Sequence, residues 1–514
     1  MKIGFLIDHR KCIGCHACTV ACKSEQQVPI GTYRTWVKYI EKGEYPDTQR
    51  FFSVLRCNHC IDAPCVTICP TTALFKRDNG IVDFDNSRCI GCKSCMQACP
   101  YDALYINPYS NTAEKCNFCA HRIDRGLQPA CEVVCPVQAI LSGDLDDPQS
   151  LISRTISSNK TSVRKPEAQT KPKLYYLNVN PSSITPTEQT HTQGYLWAEP
   201  QMNQLMADEQ TLSAAEAKAR TTYDVAHDRP WGWKVSSYLW TKSVAAGAFF
   251  VAALTIGFNI ASPQNWLFGT VAPIISLVFL LATLVLLVWD LKRPERFFYI
   301  LLKPQWKSWL VLGGYILSAF GGLLTLWLAL PYFNLNFLRQ PVMWAGAIFA
   351  VLTAIYSAFL FKQARGRVFW NNTLMNTIHL LVQAIIAGSA TLIIVAFIYS
   401  VMKKQFFLEP QIEFLLYELL GALVAHAILV AGELFIPEEN VEKARAVRFI
   451  KQGLFSKLFW FGAVGAGIAM PLILLVSGIA YFDIFALLTS LLVLAGLLLW
   501  EHIWVQAGQA VPLS

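Results

Sequence analysis

The hydrophobic pattern divides the chain in two. Up to about Pro230 apolar residues come in short stretches between turn residues; from about Val235 they form runs long enough to cross a bilayer. Eight runs can be counted, each near the ~20 residues that a spanning helix needs. They are Val235–Phe258, Val271–Trp289, Ser308–Leu330, Pro341–Phe361, Leu374–Val401, Ile412–Phe435, Leu458–Tyr481 and Ile484–Val505. Glycine and proline inside them (Pro273, Gly313, Gly314, Gly321, Gly322, Pro471) are tolerable where neighbouring helices cover the backbone. In the polar half, Gly80–Phe84 and Ala103–Ile106 read as hairpin strands, and Leu174–Leu177 as a final strand packed on the same domain. From Asn180 to Pro230 the chain is rich in Ser, Thr, Gln and Pro, then Ala-rich over Ser213–Arg220, which predicts a linker with one short helix. The expected organisation is an α+β domain over 1–180, a linker over 181–230 and an all-α membrane domain over 231–514.

Composition sharpens this division. At 514 residues the chain is too long for one compact core, and 54% hydrophobic against 15% charged residues is high for a soluble protein. Basic residues fall unevenly on the predicted loops. Lys292, Arg293, Arg296, Lys303, Lys307, Lys362, Arg365, Arg367, Lys443, Arg445, Arg448, Lys451 and Lys457 lie on one side, and only Arg339, Lys403 and Lys404 on the other. Thirteen against three places the first side in the cytoplasm, and eight crossings bring both termini there. The polar domain is therefore expected on the cytoplasmic side of the inner membrane. The formal charge of +8 needs no nucleic-acid partner to explain it.

All sixteen cysteines lie in the first 135 residues, in four groups of four. They are Cys12-Cys15-Cys18-Cys22, Cys57-Cys60-Cys65-Cys69, Cys89-Cys92-Cys95-Cys99 and Cys116-Cys119-Cys131-Cys135. The third is C-x2-C-x2-C-x3-C-P, the bacterial-ferredoxin spacing for [4Fe–4S] clusters, and the first repeats it with Lys23 in place of proline. The second and fourth lengthen only the gap before the third cysteine. A disulfide framework would need a secretory signal, and none precedes Cys12. Zinc sites close on two distant pairs, without a fourth cysteine followed by proline. Four quartets with none left over predict an α+β ferredoxin-like domain with four [4Fe–4S] clusters. In two-cluster modules the fourth cysteine of one run completes the other cluster, so Cys69 and Cys99 should exchange, as should Cys22 and Cys135. Loop N–H groups around Gly14 and Gly91 are expected to tune the clusters.

These quartets, with Lys115-Cys116-Asn117-Phe118-Cys119 and then Arg122, Gly126, Pro129 and Cys131, resemble the electron-transfer subunits of dimethyl sulfoxide and polysulfide reductases over about residues 1–180. The membrane half resembles the NrfD/polysulfide reductase membrane subunits, which also have eight helices. The phrases that carry this are Ala245-Ala246-Gly247-Ala248-Phe249, Asp290-Leu291-Lys292-Arg293-Pro294-Glu295-Arg296-Phe297 and Ala507-Gly508-Gln509. Where that family often has arginine before the last phrase, this chain has Glu501-His502. The two parts are usually separate chains, so this chain resembles a natural fusion. The resemblance implies a quinone site (menaquinone or ubiquinone) in the membrane half and a molybdopterin-type catalytic partner on the cluster side. Several relatives carry their clusters outside the cytoplasmic membrane, but the loop charges and the lack of a twin-arginine signal oppose that here.

The residues argue independently for quinone chemistry. Ionisable groups inside spanning segments are costly and mark function. Here they are Lys242, Asp290, His379, His426, Glu433, Glu501 and His502, with Gln383 beside them. By the up-down topology all but the mid-membrane His426 fall in the leaflet beneath the clusters. Histidine and carboxylate exchange protons near neutral pH, and a lysine stabilises a quinone oxyanion. Competing readings are a snorkelling Lys242, loop pairing by Glu501 or by Asp290 with Arg293, and His379 and His426 as axial ligands of a haem b. Trp231, Trp233, Trp289, Trp306 and Trp309 read as an interface belt. The function expected is electron transfer between a catalytic partner and the quinone pool; the alternative is an anchor or proton-translocating coupling subunit without direct quinone chemistry. No dinucleotide fingerprint or molybdopterin-type domain is present, so substrate catalysis is expected on a partner chain.

Overall fold

A computed structural model of the protein describes residues 2–191, 218–403, 409–437, 439–479 and 483–514. The middle of the expected linker with most of Ser213–Arg220, Lys404, and the end of the seventh run at Tyr481 lie outside the described residues.

Eight helices are long and apolar enough to cross a membrane. In chain order they are α1 (Trp233–Gly257), α2 (Trp266–Asp290), α3 (Trp309–Ala329), α4 (Asn336–Gln363), α5 (Thr373–Lys403), α6 (Pro410–Phe435), α7 (Leu458–Val476) and α8 (Asp483–Ala510). α1 is the hub: 83% of its apolar window is buried, against 28% for α2 and α3, and it packs on α2, α4, α5 and α8. Small residues allow that closeness. A Cβ added to Gly247 would lie 1.7 Å from the Ala384 carbonyl oxygen of α5, so only glycine lets these two backbones meet. α2 and α7 begin with π-helical turns, Trp266–Val271 and Leu458–Ala469, and in each a proline follows two residues later (Pro273, Pro471). Proline has no N–H to give the preceding turn, and the widened turn takes up that mismatch.

The polar half is built of short strands and single-turn helices. One four-stranded sheet runs Ile140–Asp144, Ile3–Asp8, Leu174–Leu177, Thr161–Ser162, with only the central pair parallel. Hairpins Leu74–Lys76/Val82–Phe84 and Leu104–Ile106/Ala113–Lys115 flank the binding loops, where alternation in the sequence puts strands. A second sheet holds Gln189–His191, Ala219–Tyr223, Thr35–Lys42 and Gln49–Arg56. It takes in both described ends of the stretch read as a linker. Ala219 and Thr221 turn inward, and Arg220 reaches Glu41 at 2.9 Å. The Ser/Thr content that looks like a linker also suits a strand, because threonine's branched Cβ packs well on a pleated surface.

The polar domain sits on one end of the helical bundle, held by hydrogen bonds to backbone carbonyls. Buried Arg367, between α4 and α5, donates to Gln97 Oε1 (3.0 Å) and to the carbonyls of Gln509 (3.1 Å) and Val511 (2.8 Å). Gln97 Nε2 donates to Gln509 Oε1 at 2.6 Å, and that oxygen also accepts from the Trp231 N–H at 2.9 Å. A second clasp surrounds His227, just before α1. Its Nδ1 lies 2.6 Å from Asp102, its Nε2 3.4 Å from Asp224, and Asp224 in turn pairs with Lys38 at 3.1 Å. Burial opposes charge on this imidazole, but the Asp102 and Asp224 carboxylates overcome it and raise His227 to about 10.

A pH dependence of stability follows. His227 is more basic folded than free, so its contribution is complete below about pH 6.5 and is lost as pH rises toward about 10. Thermal unfolding of detergent-purified wild type and His227→Gln should differ most at pH 6 and converge near pH 10. A difference that grows with pH would disprove the charged clasp.

Candidate functional site

The loops Cys12–Cys22 and Cys89–Cys99 repeat one backbone turn. Gly14 and Gly91 have φ of 72° and 69°, and His16 and Lys93, capping the helices that follow, have φ of 59° and 63°. In each loop the first two cysteines precede the helix, the third lies on its first turn, and the fourth lies further along the helix or caps its end. Three cavities are each walled by four cysteines, and each set mixes two runs of the sequence. One holds Cys69, Cys89, Cys92 and Cys95; the next Cys57, Cys60, Cys65 and Cys99; the third Cys22, Cys116, Cys119 and Cys131. The remaining four, Cys12, Cys15, Cys18 and Cys135, also feel one another's charge. Cys69 and Cys99 thus trade places between their runs in the fold, and Cys22 and Cys135 do the same.

The chemistry of these walls suits iron–sulfur ligation. Burial pushes the Cys18 and Cys99 thiols up to about 11, so ionising them here takes a bound metal. N–H groups aim at the sulfurs: Ala139 at Cys135 (3.2 Å), and Ala113, His59 and Phe118 at Cys89, Cys57 and Cys116 (3.4 Å each). Among the described residues no three Cys, His, Asp or Glu side chains are arranged to hold a single ion. A cubane, in contrast, takes each thiolate on a different iron.

The quartets adjoin one another in series. Cys116 lies near Cys57, and Cys65 near Cys95, so the chain's first, fourth, second and third loops follow in series. At one end Cys15 is exposed, with Ile13, Val20 and Val133 exposed nearby in sequence to the same loop and its Cys135 partner. The other end meets the membrane half. Lys292 and Arg293 N–H groups donate to Gly91 and Ile90 carbonyls at 3.2 Å, Arg296 to the Cys89 carbonyl at 3.0 Å, and Lys93 pairs with Asp290 at 2.8 Å.

A small cavity lies between α1, α5 and α8, lined by Leu239, His379, Leu380, Gln383, Trp500, Glu501 and Trp504. His379 Nε2 is 2.9 Å from His426 Nδ1, so one ring donates to the other. His379 Nδ1 lies 3.7 Å from Glu433 Oε2, while Glu433 Oε1 accepts from Trp504 Nε1 at 3.0 Å. Glu501 takes only Ser243 Oγ, at 3.5 Å, and its Oε2 has no hydrogen-bond partner. A buried carboxylate oxygen without a partner is costly and fits a ligand or water at that point. His379 stands six residues into α5 and Glu501 nine before the end of α8, roughly 9 and 14 Å from the docking end at 1.5 Å per residue.

The structure thus gathers His379, Gln383 and Glu501 on the cavity, with His426 and Glu433 directly behind. Lys242 is next door and fully buried, donating to Ala354 O (2.8 Å) and Ser357 Oγ (2.7 Å) of α4 rather than snorkelling. Asp290 and His502 stand apart: Asp290 pairs with Lys93, and half-buried His502 lies 3.4 Å from Ser236 Oγ. Asp290 therefore does not join the His379 group, because α2 ends at the docking face and Lys93 takes its carboxylate. Sequence reading missed Trp500 and Trp504, four apart on one face of α8, the first packed on both histidines (5.6 and 6.2 Å between ring centres). Trp231 is a correction. It is buried and stacked on Trp370 at 5.4 Å, whereas Trp233, Trp289 and Trp306 of the same group are exposed. Gly508 makes room for this stack, since a Cβ there would fall 2.3 Å from the Trp370 ring.

Residues 222–512 match the family described as polysulphide reductase, NrfD, and residues 48–145 match the 4Fe-4S dicluster domain. The chain is 43% identical over 203 residues to a subunit of the tetrathionate reductase of Salmonella typhimurium, covering 38% of this chain and 80% of that protein. It is 42% identical over 181 residues to one of the polypeptides of the polysulfide reductase of Wolinella succinogenes (34% and 94%). It is 34% identical over 262 residues to a putative dimethyl sulfoxide reductase iron–sulfur subunit of Halobacterium salinarum (44% and 95%).

Proposed function

Because the chain belongs to the polysulphide reductase NrfD family and carries an iron–sulfur electron-transfer subunit fused ahead of its membrane domain, we propose that it passes electrons between a molybdopterin-type catalytic partner and membrane quinone. When bound, four [4Fe–4S] clusters supply one-electron relays between these ends. The observation that carries the reading is the seating of the Cys69-Cys89-Cys92-Cys95 loop on residues 290–296, directly over the end of the bundle that contains the His379 cavity. The exposed Cys15 end, with Ile13 and Val20, suits the partner.

At the membrane end the residues bind quinone and handle its protons. Trp500, Trp504, Leu239 and Leu380 offer apolar walls to a quinone ring, menaquinone or ubiquinone, and Gln383 offers an amide to a carbonyl oxygen. Each two-electron conversion also moves two protons. His379, hydrogen-bonded to His426 and close to Glu433, exchanges one from the histidine side, and Glu501 faces the same cavity from α8. The direct contact between the His379 and His426 rings leaves no room for an iron between them, which favours quinone over haem. The cluster domain spans 1–180 and the membrane domain 231–514, and 181–230 joins them while adding strands Gln189–His191 and Ala219–Tyr223 to a sheet of the cluster domain. The 13-to-3 loop asymmetry supports a cytoplasmic position for the cluster domain.

Protein purified anaerobically should contain about sixteen irons per chain, four per cubane. Cys99→Ser should then perturb the cluster of Cys57, Cys60 and Cys65; loss of the Cys89-Cys92-Cys95 signal alone would refute the regrouping. His379→Leu and Glu501→Gln should each slow quinol-linked turnover by about 10²–10⁴-fold while an artificial donor still reduces every cluster. Unchanged rates in both variants would remove the cavity from the reaction. A reporter fused after Ser514 should be active on the cytoplasmic side, and activity confined to the periplasm would reverse the orientation.

A further inference from the structure

Arg56, the last residue of its strand, ends immediately before Cys57 and has no exposed surface. Nη1 donates to Cys131 Sγ at 3.0 Å, and the guanidinium lies over the Phe5 ring at 4.7 Å. Nε and Nη2 find no acceptor, and among the described residues no carboxylate forms an ion pair with it. A buried cation with open donors and no counter-charge is among the costliest arrangements in a protein interior, so something anionic must offset it.

Its neighbours show how unusual this is. Arg34, in the wall of the same cavity, is neutralised by Glu114 at 2.8 Å. Lys115, equally buried, gives its ammonium to the carbonyls of Val82 and Cys116. Lys93 has Asp290. Among the described residues that line the cavity walled by Cys22, Cys116, Cys119 and Cys131, Arg56 alone carries unpaired donors.

We propose that Arg56 is a positioning residue for the redox chemistry of that one site, raising the reduction potential of the cluster held by Cys22, Cys116, Cys119 and Cys131. This rests on the four-cluster reading above. A cubane with four thiolates is anionic and gains one more negative charge on reduction. A fixed cation beside it in a low-dielectric interior therefore favours the reduced form, and N–H donors to sulfur act in the same sense. The residue sets the level of one step in the series without binding any substrate.

Arg56→Gln and Arg56→Lys in the full chain, titrated anaerobically by electron paramagnetic resonance, test this, with Cys131→Ser identifying the signal to follow. Arg56→Gln should make that cluster at least tenfold harder to reduce at a given ambient potential, a fall of 59 mV for a one-electron couple. The other signals should move less, and Arg56→Lys, which keeps charge but loses donors, should shift the same signal by less than tenfold. No shift, a shift in another cluster, or equal shifts in both variants would overturn the proposal. Should Arg56→Gln shed iron, Arg56→Lys decides: a small downward shift of the Cys131-dependent signal upholds the assignment, and an unmoved one sinks it. Fewer than four signals in wild type would count against the four-cluster reading alone, since the Cys131-dependent signal can still be followed.

Discussion

Arg367 joins the two halves from within. Its guanidinium is buried where an iron–sulfur domain meets a membrane bundle, and its three bonds go to Gln97 and to the backbone at the end of α8. Gln97 lies on the short helix Ser94–Ala98 that carries Cys95 and ends at Cys99. One side chain therefore fixes two quartets relative to the spanning helices. Burial of this cation is expensive enough to pull its pKa down to about 10, even with the Asp102 carboxylate near it. Such a cost is sustained only where geometry matters, and here the geometry is the alignment of a cysteine series with a cavity in the bilayer.

The polar groups inside the membrane follow the same logic. An ionisable side chain in a spanning helix is unfavourable unless it has a partner or a wet cavity. Lys242, His379, His426, Glu433 and Glu501 are all buried, and the contacts they make are with one another or with α1, α4 and α8. Their residual need is two carboxylate oxygens without a hydrogen-bond partner, Glu433 Oε2 and Glu501 Oε2, and Glu501 lines the cavity. Packing around them is correspondingly tight. Gly247 and Gly508 remove side chains where α5 and Trp370 press closest, so the family phrases containing them have a steric meaning.

Much of this is legible in the sequence because two kinds of signal are local. Eight apolar runs appear as eight helices, and the spacing of Cys89, Cys92, Cys95 and Cys99 carries its ligand geometry with it. Other features depend on distant partners. Nothing around Asp290 announces that Lys93, 197 residues earlier, would claim it, nor does the Thr-rich stretch at 219–223 reveal an edge waiting at Thr35–Lys42. Trp231 misleads for the same reason. At the mouth of a helix a tryptophan usually meets lipid headgroups, but here another domain covers that mouth and Trp370 takes the stacking position.

The covalent connection explains the character of the contact between the halves. Separate subunits must bury enough apolar area to repay lost translational and rotational freedom. A tether replaces that cost with a high effective concentration, so the interface need supply little affinity. What it supplies instead is register. Gly91, Ile90, Cys89 and Ile68 contribute backbone carbonyls, and the donors come from Lys292, Arg293, Arg296 and Ser308. Carbonyl acceptors cannot change rotamer, neither can the Lys292 and Arg293 N–H donors, and the Arg296 guanidinium has a fixed fork. A contact built this way tolerates little sliding, which is what a series of quartets ending above a buried cavity requires.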